Sequence, residues 1–156
     1  MRKFVAIAAA LVVALPTLAT AQTRVGKVDT TFKFLGRNDR IVVDRYDDPK
    51  VDGVSCYMSR AETGGIKGSL GLATDPSRFS IACRATGPVT IKKSLPDNEI
   101  VFGAAANWLW KQIRVSRLVD RDKHMLIYLV WSTQALTPEG SPYNSVSAVH
   151  VDSSAP

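Results

Sequence analysis

Along this chain, short runs rich in valine, isoleucine and aromatic residues are separated by clusters of Gly, Pro, Asp and Asn. No run keeps a 3.6-residue period long enough for a substantial helix, so the pattern is that of strands and turns. Val28–Phe34 and Ile41–Tyr46 read as a first strand pair around the turn-forming Gly36-Arg37-Asn38-Asp39, and the chain turns again at Asp47-Asp48-Pro49 and Asp52-Gly53. Val54–Arg60 and Phe79–Arg84 are the next strands, Gly87-Pro88 separates the latter from Val89–Lys92, and a further strand can start near Glu99. In the second half, Leu109, Ile113, Val115 and Val119 share one face of an alternating run while Gln112, Arg114 and Ser116 share the other, which predicts one buried and one wetted face. Asp120–Lys123 then connects to Met125–Trp131, a nearly continuous apolar run suited to a strand covered on both sides. After Pro138–Pro142, Val146–Val151 supplies a last strand. The expectation is an all-β, single-domain antiparallel sandwich or barrel of about eight or nine short strands. The pattern fails between Ala61 and Pro76, where a long loop or one short helix near Lys67 to Ala73 would fit.

The beginning of the chain obeys a different rule. Basic Arg2 and Lys3 precede an uncharged apolar run from Phe4 to Leu15, then Pro16 and Ala19-Thr20-Ala21. That order is a secretory signal peptide over residues 1–21, with cleavage expected before Gln22 and a β domain over 22–156. The run falls short of the roughly 20 apolar residues a membrane-spanning helix needs, so no transmembrane segment is expected after cleavage. The expected location is therefore the periplasm, with release outside the cell as the lesser alternative.

Composition fits one domain: 156 residues, 46% apolar, with 20 basic and 14 acidic side chains. The charge is uneven. Gln22–Gly53 carries seven basic and six acidic residues, Val54–Val119 nine and four, and Asp120–Pro156 two and four. The middle surplus of Arg60, Lys67, Arg78, Arg84, Lys92, Lys93, Lys111, Arg114 and Arg117 could make a basic surface. After export, nucleic acid is excluded as its partner, which leaves an anionic envelope component, a periplasmic protein or plain solvent. Trp108, Trp110 and Trp131 read as packing residues, with a carbohydrate platform as the weaker alternative.

Cys56 and Cys83 are the only thiols, and in an oxidising compartment they are expected to be bonded to each other. Closing a loop of about 28 residues would contribute roughly 3 to 4 kcal/mol on the chain-entropy account. Their spacing is far from Cys-x-x-Cys, so the bridge reads as structural and not as a redox centre. Neither His124 nor His150 has ligands at zinc-site spacing. Asp47, Asp48, Asp52 and Gly53 resemble a calcium loop only superficially, because starting at Asp48 puts Lys50 at the third position and Ser59 at the twelfth. No nucleophile motif is present, so no catalytic residue, metal or cofactor is assigned. Thr63–Leu72, with four glycines and Lys67, is the one unusual segment. Its backbone N–H groups could face an anion, although it satisfies neither the P-loop nor G-x-G-x-x-G. Arg60, Thr63, Gly64, Gly65, Lys67 and Gly68 are therefore the candidate ligand or partner loop, against the plainer reading of a tight chain reversal.

Asp47-Asp48-Pro49, Cys56-Tyr57, Ser59-Arg60-Ala61, Thr63–Gly68 and Leu70–Ala73 together resemble the bacterial CreA family, as do Ile81, Cys83, Gly87-Pro88, Glu139–Pro142, Asn144-Ser145 and Ser147-Ala148-Val149. The resemblance spans nearly all of the expected mature chain and is weaker over Asn107–His124. It implies a small exported bacterial protein, often encoded beside a two-component regulatory locus, and brings no catalytic residues with it. The expected function is a non-enzymatic binding or interaction module for an envelope component, a partner protein or a small ligand. The alternatives are a small secreted hydrolase whose site is assembled only in the fold, and a structural envelope protein.

Overall fold

The computed structural model describes residues 22–65, 79–107, 111–134 and 143–152. The segment 1–21, expected to be a signal peptide, and the short helix expected near Lys67 to Ala73 lie outside these residues. The described elements are strands β1 (Thr23–Asp29), β2 (Arg40–Asp47), β3 (Val51–Glu62), β4 (Phe79–Ile91), β5 (Asn98–Asn107), β6 (Lys111–Asp120), β7 (Met125–Gln134) and β8 (Asn144–His150). They form two four-stranded sheets, β1-β2-β3-β4 and β5-β6-β7-β8, with every pair antiparallel and every strand beside its sequence neighbour. The architecture is an all-β sandwich.

Strand periodicity explains which side chains fill it. Tyr46, Cys56, Met58, Ile81 and Cys83 of the first sheet meet Phe102, Ile113, Val115, Leu126, Tyr128 and Val130 of the second, all buried. Tyr46 stacks on Phe102 across the gap with ring centroids 4.8 Å apart. At one side the sheets also meet through hydrogen bonding, where the Cys83 amide of β4 donates to Ser147 Oγ of β8 at 2.8 Å. By contrast, β1 is exposed along almost its whole length.

Four details differ from the sequence-based expectation. The first strand is Thr23–Asp29 and not Val28–Phe34, because residues 30–38 are drawn into a loop by Asn38 and Asp39. Gly87-Pro88 does not divide two strands, since β4 continues to Ile91 through an irregularity opposite Gly53. Gly53 has φ +75°, and a Cβ there would lie 2.2 Å from the Pro88 carbonyl oxygen, so the close approach requires glycine. In β6 the buried face includes Arg117 between Val115 and Val119, and Ser116, expected on the wetted face, is buried too. In β7 Leu126, Tyr128, Val130 and Ser132 are buried while Met125, Ile127, Leu129 and Trp131 are partly covered, so the second face of that strand is half-covered.

Candidate functional site

Cys56 and Cys83 stand directly opposite each other on β3 and β4 and are joined by a disulfide. Both are buried and neither lies beside a free thiol, since the chain has none, so the bridge ties two core strands together.

Two clusters of charge lie on the inward faces of the strands. The first joins the sheets. Asp48 follows β2 in the tight turn to β3 and accepts a hydrogen bond from the Lys50 amide at 2.8 Å. Arg117 of β6, with no exposed side-chain surface, donates from one guanidinium nitrogen to both Asp48 oxygens at 2.6 Å. Its other terminal nitrogen donates to Glu99 of β5, which also pairs with Lys50 Nζ at 2.6 Å. Tyr128 of β7 donates to Asp48 Oδ2 at 2.8 Å. Burial first, and the Asp48 charge second, push the Tyr128 hydroxyl well above the ordinary tyrosine range. This cluster is closed to solvent at its centre, where both terminal nitrogens of Arg117 and both oxygens of Asp48 are engaged and only the Arg117 Nε has no partner among the described residues, so it is built to hold the sheets in register.

The second cluster belongs to the first sheet alone. Alternation places Asp44 of β2 between Val42 and Tyr46 on the inward face, and Asp44 is fully buried. It accepts hydrogen bonds from Arg24 of β1 and from Arg60 of β3, the latter at 3.1 Å. Arg60 also reaches Glu62 at 2.9 Å, and Glu62 accepts from Arg40 at 2.6 Å and Arg24 at 3.2 Å. Burial would raise the Glu62 carboxyl, but the Arg40 hydrogen bond and the charges of Arg60, Arg40 and Arg24 outweigh it and hold the group below its usual range. Three guanidiniums thus face two carboxylates, leaving one positive charge in surplus. Unlike the first cluster, this one borders an open cavity of about 770 Å³. Arg40, Arg60, Glu62 and Asp39 line it with the hydroxyl-bearing Thr30, Thr31, Ser59, Thr63 and Ser80 and the apolar Ile41, Ala61 and Phe79.

Of the residues selected from sequence, Arg60 and Thr63 line this cavity. Gly64 and Gly65 lie just beyond β3 but serve the scaffold: the Gly64 amide donates to Asp39 Oδ1 and the Gly65 amide to the Arg37 carbonyl, both at 2.7 Å. A Cβ on Gly64 would lie 1.9 Å from that Arg37 oxygen, so this position is glycine to let two loops touch. Lys67 and Gly68 lie outside the described residues. Arg24, Arg40, Asp44 and Glu62, and the Asp48–Arg117 pair, were not selected from sequence. A signal was available: Asp44 and Arg117 each sit in phase with the apolar positions of an alternating strand, where an isolated charge must find a partner.

The basic residues of the middle segment do not form one surface among the described residues. Arg117 is buried, Arg60 serves Asp44 and Glu62, Lys92 pairs with Asp52 at 2.8 Å, and Arg84 donates to the Cys83 carbonyl. Arg114 lies over the Trp131 ring, 5.9 Å from its centroid, while the Trp131 indole donates to Ser116. Asp47, Asp48 and Asp52 point to separate partners, Ser55, Arg117 and Lys92. His124 occupies the β6–β7 turn with φ 51°, and His150 lies 3.7 Å from Asp152. Among the described residues no group of three His, Cys, Asp or Glu side chains is placed to hold a metal, and no helix is long and apolar enough to cross a membrane.

The molecule is thus of the class of disulfide-bridged antiparallel β sandwiches with a polar, arginine-lined cavity at one sheet. Residues 25–154 match the family described as CreA protein, and the chain belongs to that family. It is 44% identical over 131 residues to "Protein CreA" of Escherichia coli strain K12, covering 81% of this chain and 82% of that protein; Protein CreA of Escherichia coli O157:H7 matches with the same identity and coverage. The biochemical function of the family is unknown. No solved structure matches the chain.

Proposed function

We propose that this protein is an exported, non-enzymatic binding module that takes a small hydroxyl-bearing anion of the cell envelope, such as a phosphorylated or carboxylated sugar unit, in the Arg40–Arg60 cavity. The observation that carries the reading is the convergence, on one open cavity, of two guanidiniums and five hydroxyl-bearing side chains, where the two lining carboxylates are already engaged, Glu62 by Arg40 and Arg60 and Asp39 by Lys33. Guanidiniums supply bidentate donors for a carboxylate or phosphate, and hydroxyls can donate to or accept from a polyol. The carboxylates argue against hydrolysis. A general acid needs a pKa raised toward neutrality, whereas Glu62 is held low by arginines and Asp44 is fully buried against two of them. The leader-like segment supports a periplasmic location for the ligand as well.

Native mass spectrometry of protein recovered from the periplasm tests this directly. The expected result is a small extra mass that leaves on denaturation and is lost in Arg60→Gln and Arg40→Gln, while both variants keep their folded charge-state distribution. An extra mass retained by both variants removes the cavity as the site. Turnover of glycans, esters or phosphoesters that Glu62→Gln abolishes would replace the binding reading with the hydrolase alternative.

A further inference from the structure

The β1–β2 connection carries Phe32, Phe34 and Leu35, whose exposures are 87%, 91% and 71%. Three large apolar side chains presented to water on one short loop are costly, and here the loop cannot fold them away. Its ends are tied by the Thr30 amide to the Asp39 carbonyl at 2.8 Å and by the Lys33 amide to Asn38 Oδ1 at 2.8 Å. Asp39 then gathers Lys33 Nζ at 2.6 Å, Thr31 Oγ1 at 2.9 Å and the Gly64 amide. The result is a braced, convex tip with its apolar residues outward.

The geometry points to this tip as a docking element for the surface of an anionic phospholipid bilayer. Three features favour lipid over a protein partner. Two phenylalanines and a leucine offer roughly 500 Å² of apolar side-chain area, short of the ~800 Å² each partner contributes to a stable protein interface. A bilayer needs no matching groove and accepts a protruding tip. The charge around the tip is also a positive surplus: residues 24–40 hold Arg24, Lys27, Lys33, Arg37 and Arg40 against Asp29 and Asp39, and with the neighbouring Arg60, Asp44 and Glu62 that pair with them, six cations face four carboxylates. Apolar side chains below and cations beside them match the acyl boundary and the phosphate layer above it. Phe32, Phe34 and Leu35 do not line the Arg40–Arg60 cavity, although Thr30, Thr31 and Asp39 of the same loop do, and the inference does not rest on the ligand proposed there.

The test is co-sedimentation of the exported chain, its N-terminus read by intact mass, with vesicles of phosphatidylethanolamine and phosphatidylglycerol or of phosphatidylcholine alone. The expected result is binding to the anionic vesicles that falls with added salt and drops about tenfold or more in Phe32→Ser/Phe34→Ser/Leu35→Ser. Comparing wild type and variant in the same N-terminal form isolates the tip. Phe34→Trp gives a second readout that needs no loss of function: its emission should shift to the blue on anionic vesicles and not on phosphatidylcholine. Equal binding by the serine variant, no emission shift, or a stable self-association abolished by the serine substitutions without lipid would each overturn the inference.

Discussion

The two charge clusters use the same chemistry to different ends. In Asp48–Arg117–Tyr128 the participants come from both sheets and no part of Arg117 reaches solvent. In Arg24–Asp44–Arg60–Glu62–Arg40 they come from three adjacent strands of one sheet, and part of the cluster borders an open cavity. Desolvation makes the difference. A pair that is wholly enclosed must be complete in itself, so it can only position the strands that carry it. A cluster with one side open can exchange water for a ligand at far smaller cost, and so can combine a structural and a binding role.

The sharpest way to break this contrast is Arg117→Met. It strands Asp48 in the core, and we expect a loss of about 3–5 kcal/mol in denaturant unfolding. A loss below about 1 kcal/mol would mean that water reaches the pair and that the clusters are alike. Replacing Cys56 and Cys83 by alanine should lower stability by about 3 kcal/mol, because the bridge joins β3 to β4 within the core. If the cavity depends on that frame, the ligand mass in native spectra weakens along with the melting temperature. Tyr128→Phe removes one donor from Asp48 while Arg117 remains, and about 1–3 kcal/mol is expected. Arg60→Gln should cost less than Arg117→Met, since Arg24 still faces Asp44, yet it should abolish the ligand adduct.

Titration should separate the regions by sign. Burial, with the Asp44 charge next, raises the Tyr46 hydroxyl to about 12 from 10.0. Tyr128 is raised further by burial and Asp48. Both favour the folded state in full below pH 10; the Tyr46 contribution disappears as pH climbs through about 12, where the unfolded chain has already released its protons, and that of Tyr128 persists to higher pH. The loop beside the open cavity responds in the opposite range. The Lys33 hydrogen bond, then the Gly64 amide and Thr31, lower Asp39 to about 2 from 3.8. Its contribution is intact above about 4 and fades as pH falls toward 2. The Gly64 amide should therefore lose its protection, measured against the intrinsic exchange rate at each pH, in acid before core amides do, and simultaneous loss in both would contradict independent regions.

Much of the frame was legible because strand periodicity is local. The alternation around Ile113 and Val115, the polar turn before Met125, and the partnership of the sole two cysteines follow from neighbouring residues and compartment chemistry. The first strand was displaced because Phe32 and Phe34 extend the apolar alternation past Asp29, while the force that ends the strand is supplied by Asn38 and Asp39 across the loop. Arg60 and Thr63, chosen from sequence as part of a ligand or partner loop, line the cavity, and Gly64 has a packing role that the sequence did not show. That glycine meets the Arg37 and Asn38 backbone, a contact invisible in the local sequence.

The sequence by itself determined the strand class, the turn at Asp120–Lys123 and the cysteine pair, because side-chain alternation, local turn chemistry and thiol oxidation act over a few residues or on a composition. It also determined that Asp44 and Arg117 fall in phase with apolar neighbours. Only the tertiary structure decided whom those charges meet, which cluster is sealed and which is open, and that Phe32, Phe34 and Leu35 remain in water. Coulombic partnership and burial depend on distances between strands remote in the chain, and these are set when the two sheets pack.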